Sequence, residues 1–145
     1  MIRIFFVLIL LISNSFADIQ IRKQNDLFCY DGDTCYVIYE GKKDKVRLLD
    51  LDTPEISNPQ CEKEYTLGIE ARDYINQLIS DGKRIEFETE YNRDFFGRIL
   101  SYIIVDGENV SKLMVSHSLG VVYDKNNKKD WCESVSYTHL RAHET

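Results

Sequence analysis

Three short segments carry the side chains of this chain that could perform chemistry. They are Asp31-Gly32-Asp33-Thr34, the run from Arg47 to Glu55, and Asp94-Phe95-Phe96-Gly97-Arg98. The carboxylates are oxygen donors of the kind that a hard cation such as Ca²⁺ takes. The two arginines suit a phosphate, because a guanidinium stays charged and matches two phosphate oxygens at once. The set predicts metal-assisted cleavage of a phosphodiester.

Each segment taken alone has an ordinary structural explanation. Asp-Gly-Asp-Thr is typical of a hairpin turn, and Asp-Thr-Pro-Glu is typical of a capped loop. Either arginine alone would more often make a surface ion pair. An EF-hand loop counted from Asp31 is excluded, because Tyr36 and Lys42 stand where that loop needs Gly and Glu. A cation site here would therefore be open and built from separate strands, with room for water and substrate.

Five strands and two helices are predicted to position these segments. The strands are Leu27–Tyr30, Thr34–Tyr39, Lys45–Leu51, Ile85–Glu90 and Arg98–Val105, and the helices are Glu64–Ser80 and about Val110–Leu119. Strands that come in hairpins do not suit a parallel sheet. We therefore predict an α+β fold, a five-stranded antiparallel β-barrel of the OB type with packed helices. Barrels of this type often bind oligonucleotides on one face.

The two ends of the chain are set apart from this domain. Residues 1–17 combine a basic start, an apolar run and small residues at Ser15 and Ala17, which is typical of a cleaved signal peptide. A membrane anchor is the alternative, but the apolar run is too short to span a bilayer. Residues 134–145 look like translated sequencing adapter, and we interpret them as not native. The predicted domain is 18–133, secreted or periplasmic, free of the membrane after cleavage and monomeric.

Four cysteines lie in the predicted domain. An even count behind a signal peptide favours disulfides formed in an oxidising compartment. Four cysteines allow three connectivities, of which we favour Cys29–Cys35 across a hairpin and Cys61–Cys132 between a loop and the tail. Buried free thiols are the alternative. A zinc site is disfavoured, because the chain has no CxxC pair and no suitable histidine spacing.

The charge balance argues in the opposite direction from the motifs. When Arg3, Arg141 and Glu144 are left out of the 18 basic and 24 acidic residues, the domain has a net charge of −7. An acidic balance opposes long-range electrostatic capture of nucleic acid. It keeps open an exported calcium-binding or structural domain that has no role with nucleic acid.

The three segments, in this order, resemble the staphylococcal nuclease (thermonuclease) family over about residues 27–127. The resemblance implies an OB barrel with helices and a Ca²⁺-dependent nuclease that cleaves DNA and RNA, prefers single strands and leaves 3′-phosphates. By motif match, the resemblance implies that Asp33, Asp52 and the Thr53 carbonyl bind Ca²⁺, with support from Asp31. It implies that Glu55 activates or positions the attacking water. It also implies that Arg47 and Arg98 hold the scissile phosphate and that Tyr123 stacks on a nucleotide.

Two positions depart from the family pattern. Asp50 stands where an apolar residue or glycine is usual, which adds a carboxylate close to Asp52. Phe95-Phe96 replaces a Lys-Tyr pair, and we expect these rings to pack rather than to stack on bases. The alternative function is a non-catalytic OB-fold module that binds nucleic acid or calcium. The joint presence of Arg47, Asp52, Glu55 and Arg98 favours the nuclease.

Overall fold

The computed structural model describes residues 19–20 and 26–133 of the 145-residue chain. The predicted signal peptide, 1–17, and the predicted adapter segment, 134–145, lie outside the described residues. No helix in the described ranges has both the length and the apolar character needed to span a bilayer.

The described part of the chain forms seven strands and two helices. In chain order they are β1 (Ile19–Gln20), β2 (Leu27–Cys29), β3 (Thr34–Tyr39), β4 (Lys42–Leu48), α1 (Glu62–Asp81), β5 (Ile85–Arg93), β6 (Ile99–Val105), β7 (Glu108–Asn109) and α2 (Val110–Ser116). The five longer strands and both helices match the predicted elements in order and type.

One mixed, curled sheet contains all seven strands, in the order β1-β5-β6-β4-β3-β2 with β7 paired to β6. An OB-like α+β fold is confirmed, but the prediction of a wholly antiparallel barrel was wrong at one pair. β4 and β6 run parallel, with Val46 opposite Ile99 and Leu48 opposite Ser101. A parallel pair needs a long crossover connection rather than a hairpin. Here α1 and β5 lie in the sequence between the two strands and make that crossover possible.

The core lies between the sheet and the helices. On β4 the alternation of a strand turns Val46 and Leu48 inward, and both are almost fully buried. From α1, Ala71, Ile75 and Ile79 recur at helical spacing and join the same cluster. The intervening β4 residues Lys45 and Arg47 therefore face outward, so the outer face of this strand is basic.

Two predicted elements end earlier than expected, because the chain enters left-handed backbone. β4 ends at Leu48 rather than at Leu51, and Asp50 has a φ of 55°. α2 ends at Ser116 rather than at Leu119, and Ser118 has a φ of 60°. Neither a strand nor a right-handed helix continues through a residue in that conformation.

Both favoured disulfides are present, and all four cysteines are paired. Cys29–Cys35 joins β2 to β3 at directly opposite positions of the ladder. Cys61–Cys132 ties the tail to the residue that caps the N-terminus of α1. The first disulfide closes the turn 30–34, and the second anchors the segment after Val121.

Candidate active site

The turn 31–34 is held in one conformation by its own side chains. The Oδ1 atom of Asp31 accepts hydrogen bonds from the backbone N–H groups of Asp33 (3.1 Å) and Thr34 (2.7 Å). Gly32 brings the turn against the neighbouring loop, since a Cβ atom at this position would lie 2.8 Å from the side chain of Thr53. A glycine is therefore required here by close approach, and the turn presents Asp33 to the loop.

Asp33 connects three segments through one carboxylate. Its Oδ2 atom accepts from the backbone N–H of Thr53 (3.1 Å), and its Oδ1 atom accepts from the hydroxyl of Thr34 (3.0 Å). The Nη1 atom of Arg47 lies 2.6 Å from Oδ1 and also donates to the backbone carbonyl of Asp33 (3.1 Å). Asp33 and Arg47 are thus fixed relative to each other at the end of β4.

Asp52 lies on a loop that is braced by its backbone. Its N–H and carbonyl both pair with Val121 at 2.9 Å. Gly120, which directly precedes Val121, permits the two segments to lie this close, because a Cβ atom there would lie 2.6 Å from the side chain of Leu51. The Asp52 carboxylate itself receives no hydrogen bond from any described residue, although the residue is buried. Burial, and then the charge of Asp33, raise the pKa of Asp52.

The predicted cation ligands fit a hard cation by their chemistry. The described residues contain no group of three or more His, Cys, Asp or Glu side chains arranged for a metal. The predicted set is smaller, two carboxylates from Asp33 and Asp52 with the Thr53 carbonyl, and carbonyl oxygens are ordinary Ca²⁺ ligands. Burial and the neighbouring Asp33 also raise the pKa of Asp31, to about 6. Mutually repelling, partly desolvated carboxylates are stabilised by a bound cation.

Arg98 is positioned by Asp94, which we did not predict as a site residue. The Oδ1 atom of Asp94 accepts from the backbone N–H groups of Phe96 and Arg98 (2.9 Å each), and Oδ2 accepts from Nε of Arg98 (2.6 Å). Burial opposes ionisation of Asp94, but the bonds from Arg98 outweigh it and lower the pKa of this carboxyl. The Nη1 atom of Arg98 reaches the hydroxyl of Thr34 at 3.3 Å.

The predicted side chains meet in one cleft of about 310 Å³. Seven of the eight predicted site residues line it, and Thr53 lies beneath, bonded to Asp33. The Glu55 carboxylate is half-exposed, 3.6 Å from Nζ of Lys128. The lining residues are Tyr30, Asp31, Asp33, Thr34, Arg47, Asp52, Glu55, Arg98, Tyr123, Asp124, Lys125 and Lys128.

A buried glutamate that we did not predict supports the loop around Glu55. Glu64, in the first turn of α1, is 4% exposed. Its Oε2 atom accepts from the backbone N–H of Gln60 (2.6 Å), and Oε1 accepts from that of Glu55 (3.4 Å). A glutamate early in a helix is a capping signal, but the sequence does not show that it caps a preceding loop.

The two departures from the family pattern lie away from the predicted cation ligands. Asp50 accepts a hydrogen bond from the Tyr102 hydroxyl and lines a separate cavity of about 640 Å³. The expectation that Phe95 and Phe96 pack was wrong: they are 98% and 78% exposed. Both lie at the tip of the turn between β5 and β6, where the chain projects beyond the sheet.

Comparisons with known proteins agree with this site. A family model described as "Staphylococcal nuclease homologue" matches residues 45–144. Endonuclease YncB of Bacillus subtilis is 42% identical over 103 residues, which is 68% of this chain and 48% of that protein. The SPbeta prophage-derived endonuclease YokF of the same organism is 39% identical over 103 residues, 68% of this chain and 34% of that protein. Thermonuclease of Staphylococcus hyicus is 30% identical over 90 residues, 61% of this chain and 52% of that protein. The chain thus spans between a third and about half of these relatives' lengths.

Proposed function

The chain belongs to the staphylococcal nuclease homologue family, and from this premise we propose that it is a Ca²⁺-dependent nuclease. It hydrolyses DNA and RNA, prefers single strands and leaves 3′-phosphates. The observation that carries the proposal is the cleft in which Asp33, Asp52, Glu55, Arg47 and Arg98 meet. Relatives whose names say endonuclease or thermonuclease support nuclease activity in general. The calcium requirement is supported by the donor chemistry of the cleft.

Arg47 and Arg98 bind the scissile phosphate in this proposal. Each is anchored through part of its guanidinium, Arg47 through Nη1 to Asp33 and Arg98 through Nε and Nη1 to Asp94 and Thr34. A guanidinium carries five N–H donors, so each arginine keeps donors for phosphate oxygens. Because both are fixed before substrate arrives, they stabilise the charge that grows on the phosphoryl oxygens without reorganising.

Asp33, Asp52 and the Thr53 carbonyl would hold the Ca²⁺. Asp31 supports them by fixing the turn on which Asp33 stands. A bound cation would supply Lewis-acid polarisation of a phosphate oxygen and a template for the substrate. Asp52 is the donor with the most to gain, because its carboxylate lines the cleft and receives no hydrogen bond from the described residues.

Glu55 accepts the proton of the attacking water, or orients that water. Its carboxylate lines the same cleft as both arginines and is exposed enough to reach solvent. Lys128 is the one cation in an ion pair with Glu55 among the described contacts, and its own side chain is largely exposed. A pair of this kind contributes little and is easily displaced, so Glu55 stays available as a base.

We further propose that the mature protein is exported and acts as a monomer, free of the membrane. The signal-peptide pattern of residues 1–17 and the two disulfides support export, because such bonds persist in oxidising compartments.

The first experiment is digestion of single-stranded DNA by the purified protein with Ca²⁺ and with chelator. We expect cleavage only with Ca²⁺, and end-labelling should show products with 3′-phosphate ends.

Glu55→Gln removes the proposed base but keeps the shape of the side chain, and we expect kcat to fall by about 10² to 10⁴. Glu108→Gln, an exposed glutamate on β7, is the matched control and should cleave like the parent.

Two results would contradict this assignment. Ca²⁺ binding by a folded protein that cleaves neither DNA nor RNA would favour the non-catalytic binding module. Cleavage by Glu55→Gln at the parent rate would remove Glu55 from the mechanism while leaving the nuclease in place.

A further inference from the structure

The outer face of β4 carries a row of cations that leads to the cleft. Val46 and Leu48 point into the core, so the alternate residues Lys43, Lys45 and Arg47 share the opposite face. Both lysines are exposed. Since Arg47 lines the proposed catalytic cleft, the two lysines extend the positive charge away from it along one strand.

Two aromatic rings lie beside these cations, that of Tyr36 on the neighbouring strand β3 and that of Tyr30 just after β2. Tyr36 stands directly opposite Lys45 in the β3–β4 ladder. The Nζ atom of Lys43 lies 3.8 Å from the ring centre of Tyr36, and Nζ of Lys45 lies 5.9 Å from that of Tyr30. The two tyrosine rings are 4.9 Å apart. Rings and cations therefore alternate over a continuous stretch of surface.

A third ring reaches this surface from the turn between β5 and β6. Phe96 is 78% exposed, and the Arg98 guanidinium lies 5.4 Å from its ring centre. Phe96, Tyr36, Lys43, Lys45 and Arg98 line a second cavity of about 370 Å³. Arg98 lines both this cavity and the catalytic cleft, so the two lie next to each other on either side of this side chain.

The charge of this surface is positive although the domain is acidic. The one carboxylate that lines the second cavity belongs to Asp44. Both of its oxygens accept from the Arg93 guanidinium, at 3.0 and 2.6 Å, so its charge is compensated. Lys43 and Lys45 therefore remain as a local positive patch suited to phosphate groups, next to Arg98, whose own charge is paired with Asp94.

We propose that this aromatic-basic groove, Tyr30, Tyr36, Lys43, Lys45, Phe96 and Arg98, binds the unpaired strand that flanks the scissile phosphate. The inference rests on the proposed nuclease function and names its extended substrate site. Aromatic rings stack on bases of any sequence, and lysines bind the backbone phosphates between them. Base faces are free to stack in a single strand and hidden in a duplex, so the groove supplies a physical reason for single-strand preference.

Binding without cleavage tests the groove independently of catalysis. Fluorescence anisotropy of a labelled twenty-residue oligothymidylate is measured on the full chain in chelator. We expect the double variant Tyr36→Ala/Phe96→Ala to bind at least about 30-fold more weakly, because two stacking contacts are lost. The double variant Lys43→Gln/Lys45→Gln should flatten the plot of log affinity against log salt by about 1.4, as expected for two phosphate contacts on a single strand.

Exposed residues elsewhere provide matched controls. Tyr65→Ala on α1 and Lys112→Gln on α2 remove an exposed ring and an exposed cation that line neither cavity of the groove and cleft. Both should bind the oligonucleotide like the parent. Circular dichroism of each variant shows whether it is folded before binding is compared.

Cleavage separates this proposal from the general one. With Ca²⁺, the groove variants should raise KM for the long oligonucleotide and leave kcat unchanged, because they remove binding without touching the reacting groups. Unchanged anisotropy in both double variants would overturn the groove, whatever the cleavage result. A parent protein that binds the oligonucleotide through the groove but never cleaves it would overturn the nuclease and keep the groove. Phe96-dependent binding to anionic vesicles without oligonucleotide binding would assign the surface to a membrane instead.

Discussion

The acidic turn 31–34 and the loop 50–55 both bring carboxylates to the cleft, but they treat them differently. In the turn, Asp31 accepts two backbone hydrogen bonds, and Asp33 is bonded to Thr34, Thr53 and Arg47. In the loop, the Asp52 carboxylate lines the cleft and receives no bond from the described residues, and Glu55 has one ion pair at 3.6 Å. The carboxylates of the turn stabilise its conformation, whereas those of the loop remain available to a cation and to water.

The two regions are also braced by different means. The turn is closed by the Cys29–Cys35 disulfide and fixed by its own side chains. The loop is held through its backbone, by Val121 at Asp52 and by Glu64 at Glu55. Because the loop is held through its backbone, the side chains of Asp52 and Glu55 are not needed to stabilise it. They are positioned by a rigid support and remain free to bind a cation or water.

The largest expected difference between the two regions is in stability, and one alanine variant in each region measures it. Asp33→Ala leaves Arg47 largely buried without its carboxylate, and we expect it to lower the free energy of unfolding by about 3 kcal/mol. Asp52→Ala removes a carboxylate that has no bonded partner, and we expect a change below about 1 kcal/mol. Urea unfolding in chelator measures both. Equal losses would mean that the two regions share one structural role.

Removal of the Glu64 carboxylate should destabilise the loop 50–55 locally and leave the turn 31–34 unchanged. We expect Glu64→Ala to cost about 2 kcal/mol, because the N–H groups of Glu55 and Gln60 lose their acceptor. Hydrogen exchange should speed up at these two amides and stay slow at Asp33 and Thr34. Glu62→Ala, an exposed glutamate in the same helical turn, is the control. Faster exchange at Asp33 and Thr34 as well would show that the two regions open together.

A further variant, Asp31→Asn, should gain stability rather than lose it. In the folded, metal-free protein, burial raises the pKa of Asp31 from 3.8 to about 6. The folded state thus holds this proton more tightly than the unfolded state, and its stability falls as pH rises through this interval. Asparagine keeps the Oδ1 acceptor and carries no charge. We expect the variant to be more stable by about 1 to 2 kcal/mol at pH 7.5 and equal to the parent near pH 4.

Thermal unfolding in chelator at the two pH values measures this difference. A variant that is less stable than the parent at pH 7.5 would show that the Asp31 charge is favourable in the folded state. The Glu40→Gln variant, an exposed acid at the turn between β3 and β4, provides the reference for removing one negative charge from this domain.

Local sequence patterns predicted the elements and the cleft well. Alternation and helical spacing placed the five longer strands and both helices, because these signals lie within ten to twenty residues of chain. The motifs placed Asp33, Arg47, Asp52, Glu55 and Arg98 together. Both disulfides are the pairs that we favoured among three connectivities, one across a predicted hairpin and one between a loop and the tail.

The features that were missed depend on contacts between distant parts of the chain. The parallel pairing of β4 with β6 is set by how the sheet curls, and no local signal encodes it. Gly32 and Gly120 matter because they approach Thr53 and Leu51, which lie elsewhere in the sequence. Phe95 and Phe96 look like core residues by composition, and only the turn that carries them exposes both rings.

The Cys29–Cys35 disulfide has a consequence for the denatured protein. The bond closes a small ring, with a sequence separation of 6, around Asp31 and Asp33. After unfolding, this ring keeps the two carboxylates near each other, so the denatured chain retains some affinity for a dication. Binding to the unfolded state reduces the stabilisation that a ligand provides. Calcium should therefore raise the melting temperature less than its affinity for the native protein implies. Reduction of this bond frees the unfolded chain, so it should increase the rise in melting temperature that calcium causes.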